Sequence, residues 1–190
     1  MPPRKRASAT SISYTVPGMN KADAQSVVTL LQDRLNALND LALTLKHVHW
    51  NVIGPHFISV HEMIDPQVDA VRLMVDQTAE RIATLGGSPV GTPGAIVAQR
   101  TWSDYSLGRD EALAHLGALD LVYDGVIGTH REAIEATDEP DPITQDMLIS
   151  QSAQLEQFQW FVRAHLENTA GQTSTGSART ERAAARRARG

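Results

Sequence analysis

His61 and Asp65 stand four residues apart in SVHEMID, and Asp76 and Glu80 stand four apart in DQTAE. On an α-helix a spacing of four returns to the same face, one turn along. Asp76 lies eleven positions after Asp65, close to three full turns, so both pairs share one stripe. At about 1.5 Å of rise per residue the two aspartates are roughly 16 Å apart along the axis. An ion bound at about 2 Å by each ligand cannot bridge them within one straight helix. An identical helix, antiparallel across a two-fold axis near residues 70 and 71, removes the conflict by setting Asp65 beside the partner's Asp76. The spacing predicts two symmetric nitrogen- and oxygen-ligated metal sites at a homodimer interface. The plainer alternative for each pair alone is a solvated helix face. A stripe of acids nevertheless repels itself unless a cation sits on it.

Composition narrows the chemistry. The chain has 190 residues, enough for one domain with a good core, and no cysteine. Thiolate ligands, disulfides and cysteine nucleophiles are therefore excluded. A metal must be held by imidazole, carboxylate and water, which suits iron, manganese or zinc. No apolar run reaches the roughly 18 residues of a membrane span. The opening MPPRKRASAT is charged but lacks an apolar stretch after it, so it is no secretory signal. The expected location is the cytoplasm, with no membrane partner.

The net charge of −5 hides a split. Residues 1–10 carry Arg4, Lys5 and Arg6 and sum to +3. Residues 171–190 carry Arg179, Arg182, Arg186, Arg187 and Arg189 against one glutamate and sum to +4. The body between them sums to −12. An acidic body attracts cations, and basic tails attract polyanions.

The elements that must position these residues are helices. Val27, Leu30, Leu31, Leu35, Leu38, Leu41, Leu45 and Val48 recur at three or four, predicting a helix over 21–50. Gly54-Pro55 breaks it. A second helix is expected over 57–85, ending at a left-handed C-cap on Gly86, with Pro66 inside it to kink it near Glu62. Two more are expected over 109–136 and 142–167. The long connection between the second and third leaves room for a small helix near 95–100. The ends, 1–20 and 169–190, are poor in large apolar residues and are expected to be disordered. The Ala-Arg end could turn helical on a polyanion. The expected fold is all-α, with a four-helix bundle over 21–168.

The words KHVHWNVIGPHF, SVHEMID and DQTAERIATLGGSPVG, with FQWFVRAHLE downstream, resemble the Dps family, the mini-ferritins that protect DNA in starved bacteria. The resemblance covers roughly residues 15–168. GTPGAI, RTWSDYS and ALDLVYDGVI make the actinobacterial branch the nearest in appearance. It implies a ferritin-like bundle with one long crossover, assembled through two-fold dimers into a hollow dodecamer. It also implies ferroxidase activity: Fe(II) oxidised preferentially by hydrogen peroxide, with Fe(III) stored as mineral inside. His49 then joins His61 and Asp65 from one subunit, and Asp76 and a bridging Glu80 come from its mate. Each interface site would take two iron ions, with zinc or manganese as substitutes.

Several features keep two readings. Trp50 is either a core aromatic or an oxidisable side chain that intercepts radicals. Asp138, Glu139, Asp141 and Asp146 are either solvated acids near a helix N-terminus or, by resemblance, a three-fold pore that draws in Fe(II). The tails either solubilise the protein or bind DNA phosphates without sequence preference, gaining strength by multivalency and placing the protein on the nucleoid. The tails lie outside the resemblance. Two rival functions follow, a DNA-packing shell with an idle metal site and an iron store that ignores DNA. HEMID resembles the zinc-protease word H-E-x-x-H, but position 65 is aspartate and no suitable third histidine follows nearby. The E-x-x-H word of large ferritins is also missing, which argues against an intrachain di-iron site.

Overall fold

The computed structural model describes residues 12–189. Two long helices, α1 (Lys21–Asn51) and α2 (Phe57–Thr84), pack as one pair. A short α3 (Pro93–Gln99) sits in the crossover, and α4 (Ala112–Thr137) and α5 (Pro142–Ala164) form the second pair. A sixth helix, α6 (Glu181–Ala188), lies against α4. The four-helix bundle with a helix in its long crossover is the expected fold, and the sixth helix is an addition to it.

Local chemistry sets the boundaries. Asn20 caps α1 by accepting a 2.9 Å hydrogen bond from the Asp23 N–H. Beyond α1 the chain forms a two-residue parallel ladder, β1 (Val52–Ile53) beside β2 (Asp110–Glu111). That pairing holds residues 110 and 111 extended, so α4 starts at Ala112 rather than 109. α2 runs through Pro66 without ending, although proline offers no N–H to the Glu62 carbonyl. It stops at Gly86, where φ is +87°, and the Gly87 N–H closes the turn on the Ile82 carbonyl at 2.9 Å. A Cβ at Gly86 would collide with the Tyr14 carbonyl. α5 ends at Ala164, short of 167, because the His165 and Leu166 N–H groups turn back to Val162 and Arg163.

The apolar stripes meet in two clusters. The larger joins Leu38, Leu41 and Leu45 of α1 and Ile64, Val68 and Val71 of α2 to Leu116, Leu119, Leu155 and Val162 of the second pair. The smaller gathers Val28, Leu31, Leu35, Ile82, Leu85 and Leu148 near the Gly86 end. Each fully buried leucine contributes about 1.5–3 kcal/mol relative to exposure. Inside, the Tyr123 hydroxyl donates to Gln67 Oε1 at 2.7 Å, tying α4 to α2.

The disordered tail expected over 169–190 is corrected. Among its residues, Ala184, Ala185 and Ala188 are buried on α4. Thr180 caps the helix by accepting from the Ala183 N–H at 3.2 Å. Glu181 accepts from the Ser106 N–H at 2.6 Å, Arg187 donates to the Thr175 carbonyl at 3.0 Å, and Arg189 pairs with Asp110. Composition misled because small methyl groups suffice where the opposing surface is a glycine: a Cβ on Gly117 would lie 2.8 Å from Ala188 Cβ and 2.9 Å from the Ala184 carbonyl oxygen. The expected N-terminal arm of 1–20 is corrected in part. Residues 1–11 lie outside the described residues, but the Ile12 N–H donates to Gln25 Oε1 at 3.2 Å, and Val16 and Met19 pack on the smaller core cluster.

Gly117→Leu is expected to unseat α6. Overpacking costs about 1–3 kcal/mol, and here it falls where Ala184 and Ala188 meet Gly117. Amide exchange in residues 181–188 should quicken at least about tenfold while the bundle helices keep their protection. Unchanged exchange in that helix would mean that the glycine notch does not hold it.

Candidate metal centre

The last turn of α1 brings His49 against His61 in the first turns of α2. Their rings stack with centroids 3.6 Å apart and planes 23° apart. His49 Nδ1 lies 3.0 Å from the His61 carbonyl oxygen, and His61 Nδ1 lies 3.0 Å from the His49 carbonyl oxygen. A carbonyl only accepts, so each Nδ1 carries a proton and donates it. In the neutral imidazole that fixes the tautomer and leaves both Nε2 lone pairs for an electrophile. The Phe57 ring, 5.0 Å from His61, packs beside the pair.

Asp65 joins them one turn on. Its Oδ1 is 3.2 Å from His49 Nδ1 and 2.8 Å from Lys46 Nζ. The Lys46 hydrogen bond, opposed by desolvation and helped by the charges of His49, Lys46 and His61, holds the Asp65 carboxyl below its ordinary value. The carboxylate is thus ionised and aimed at a cation. Lys46 escaped the sequence reading, though its position three residues before His49 in KHVHW puts it on the same face.

Asp76 and Glu80 lie exposed further along α2. Among the described residues, no three histidine or acidic side chains of one chain are arranged to hold an ion. One chain thus gathers His49, His61 and Asp65 beside one another, with Asp76 and Glu80 apart from them on α2. Exposed apolar side chains accompany them: Ile58, Leu73 and Trp50, the last 71% exposed. The core-aromatic reading of Trp50 is overturned, and Lys46 Nζ sits 5.8 Å from its ring centroid.

The acidic cluster divides. Asp138 and Asp146 are exposed, but Asp141 is only 5% exposed. Arg81 of α2 donates to both its oxygens at 2.8 Å, and the Thr144 hydroxyl donates to Oδ2. Asp141 is therefore no pore carboxylate; it fastens α2 to the start of α5. Nothing nearby in sequence signals this pair, because the partners are 60 positions apart. Burial raises the Asp141 pKa, but the hydrogen bonds from Arg81 and Thr144 and the Arg81 charge outweigh it and leave the value lowered.

Of the basic residues, Arg4, Lys5 and Arg6 lie outside the described residues. Arg179, Arg182, Arg186 and Arg187 are exposed at and along α6, and Arg189 is tied to Asp110. Among the described residues no helix is long and apolar enough to cross a membrane.

Residues 28–171 match the family described as a ferritin-like domain. The DNA protection during starvation protein of Mycolicibacterium smegmatis is 58% identical over 177 residues, 93% of this chain and 97% of that one. The fine tangled pili major subunit of Haemophilus ducreyi is 50% identical over 83% of this chain and 84% of its own. Among solved structures, DpsA14 from Streptomyces coelicolor superposes with a TM-score of 0.87 at 61% identity, covering 88% of this chain and 99% of that one.

Replacing Arg81 with methionine should leave a buried, unpaired carboxylate, costing about 3 kcal/mol per subunit at neutral pH. The sign follows from the lowered Asp141 pKa. Its contribution is present above the unfolded aspartate value of about 3.9 and fades as pH falls through the lower folded value. Thermal melts of the two proteins should therefore differ widely at pH 7 and converge towards pH 3. A gap that persists in acid would assign the loss to packing.

Proposed function

The chain belongs to the Dps family of ferritin-like proteins, and on that premise we propose that it is a ferroxidase and iron store whose reaction sites form only between two subunits. One observation carries the reading. His49 and His61 each spend their Nδ1 proton on the other's backbone, leaving two Nε2 lone pairs beside an ionised Asp65. Neutral imidazoles with hard carboxylates suit Fe(II), and added carboxylate suits the Fe(III) that follows.

In this reading His49, His61 and Asp65 hold one side of the site, and the partner's Asp76 and Glu80 supply the other. Glu80, with two oxygens, is the bridging group between two Fe(II) substrates. Lys46 keeps Asp65 ionised and in place, and an arriving Fe(II) exchanges one cation for another at that carboxylate. Each of two Fe(II) gives one electron to a single hydrogen peroxide. The O–O bond breaks, two protons are taken up and two waters leave, so no hydroxyl radical is released. Exposed Trp50, beside His49, is placed to reduce a stray oxidant before it escapes. Exposed Asp138 and Asp146 guide Fe(II) towards the interior of a dodecameric shell. Fe(III) is stored there as mineral, in the cytoplasm.

Binding of DNA is the second part of the proposal. Arg179, Arg182, Arg186 and Arg187 stand exposed at and along α6, so each subunit offers a small cationic patch to phosphates. Arg4, Lys5 and Arg6 add to it. One patch is weak; many on one shell act together. Contacts to phosphate carry no sequence information and weaken steeply with salt. Such binding would hold the iron chemistry on the nucleoid it protects.

Subunit mixing tests the oxidation site. Asp65→Ala and Glu80→Gln should each slow peroxide-driven Fe(II) oxidation, followed by absorbance, at least about tenfold. A hybrid dimer of the two variants would hold one intact site and one doubly damaged site. Co-assembled protein should therefore regain substantial activity that neither parent has. If each variant is inactive and the hybrid stays inactive, the site is not shared between chains.

Deleting residues 171–190 tests the DNA part. The truncated protein should shift duplex DNA in a gel only at several-fold higher concentration, and its binding should depend less steeply on salt. Identical mobility with and without those residues would leave DNA protection to other surfaces.

A further inference from the structure

A cavity of about 530 Å³ opens between α1, α4, the end of the crossover and the chain entering α6. None of the proposed iron ligands lines it. Its apolar walls come from Ala37 and Leu41 of α1 and Leu121, Val122 and Val126 of α4. The volume falls within the roughly 300–1,000 Å³ of small-molecule pockets.

Two polar atoms in its lining have no partner among the described residues. Arg34 is only 8% exposed, yet its Nη1 has no hydrogen-bond acceptor among the described residues. None of the ion pairs among those residues includes it. The second atom is the buried Ser106 Oγ. Two of the six such orphan side-chain atoms in the described residues thus line this one cavity. A buried guanidinium without a counter-ion is costly, and its pKa is lowered by burial, with the charges of Asp33 and Glu132 opposing.

The acids around the cavity are already engaged. Asp40 accepts from Trp102 Nε1 at 2.7 Å and from Arg100 at 3.4 Å. Asp104 pairs with Arg100, and Glu181 accepts from the Ser106 N–H. Arg34 is left as the buried cation seeking an anion, and Arg179 lines the cavity as well. The three engaged carboxylates would repel a dianion such as phosphate, and the apolar walls favour a hydrocarbon body.

We propose that this cavity is a binding site for a small organic carboxylate with an apolar body, its carboxylate meeting Arg34 and its hydrocarbon lying along α1 and α4. Charge-assisted pairing of a carboxylate with guanidinium is bidentate where geometry allows, and it would end the isolation of Arg34. The site is independent of the iron chemistry, because it shares no residue with it.

The test uses the intact assembled protein, with octanoate and 1-octanol as probes in calorimetric titrations. Octanoate should bind saturably, and octanol at least about tenfold more weakly. Arg34→Met should abolish that preference. Gly125→Leu gives an independent check, because Gly125 lines the cavity and a Cβ there meets nothing within 4 Å. The larger side chain should fill the cavity and remove octanoate binding with Arg34 in place. Three outcomes would overturn the proposal: no saturable octanoate binding by the unaltered protein, equal affinity for octanol, or undiminished binding by Gly125→Leu.

Discussion

Two imidazoles, each giving its Nδ1 proton to the backbone of the other's residue, fasten the end of α1 to the beginning of α2. The rest of this side-chain cluster follows from that exchange. It holds the rings 3.6 Å apart, fixes their tautomers and turns both Nε2 atoms away from the backbone. It also brings Lys46 and Asp65 together, since each is about one turn from a clasped histidine. The α1–α2 turn gains a further restraint from the parallel ladder with residues 110 and 111. The site proposed between two chains would need such rigidity, because positional error in either half adds to error at the interface.

Charge is used in two ways in this molecule. Asp141 is enclosed, with Arg81 on both oxygens and Thr144 beside them, and its task is mechanical. Asp120 is similar, accepting from Arg163, Gln159 and Thr175 where α4, α5 and the tail converge. Asp76, Glu80, Asp138 and Asp146 stay at the surface, where a cation can reach them. The acidity of the body is therefore a poor guide to its chemistry until the engaged carboxylates are set aside.

Helical periodicity made the four long helices legible, because leucines and valines at three and four must face a common core; their arrangement as a bundle rested partly on the family resemblance. The approach of His61 and Asp65 was legible too, since residues four apart on a helix share one face. Contacts between residues far apart in sequence were not legible. Arg81 reaches Asp141 across 60 positions, and Gln159 reaches Asp120 across 39; no local pattern marks either. The two-residue ladder was missed because Val52–Ile53 is too short to show strand alternation. α6 was missed because its buried face is alanine and its seat is Gly117, so neither side carries the large apolar residues that announce a core. Trp50 taught the reverse lesson: a large aromatic beside a core stripe can point outward, since adjacent helical residues face different ways.

The seating of α6 has a consequence for reach. As a helix of eight residues it is about 12 Å long, and its arginines ride close to the body. Local opening of such a terminal unit would leave the bundle intact. Released from residue 169 onward, the same chain extends to roughly 70 Å at about 3.3 Å per residue. Opening thus trades a compact patch of fixed geometry for a long tether with a wide capture radius. The compact arrangement is held by alanine methyls over Gly117 together with the Glu181–Ser106 hydrogen bond and the Arg189–Asp110 pair.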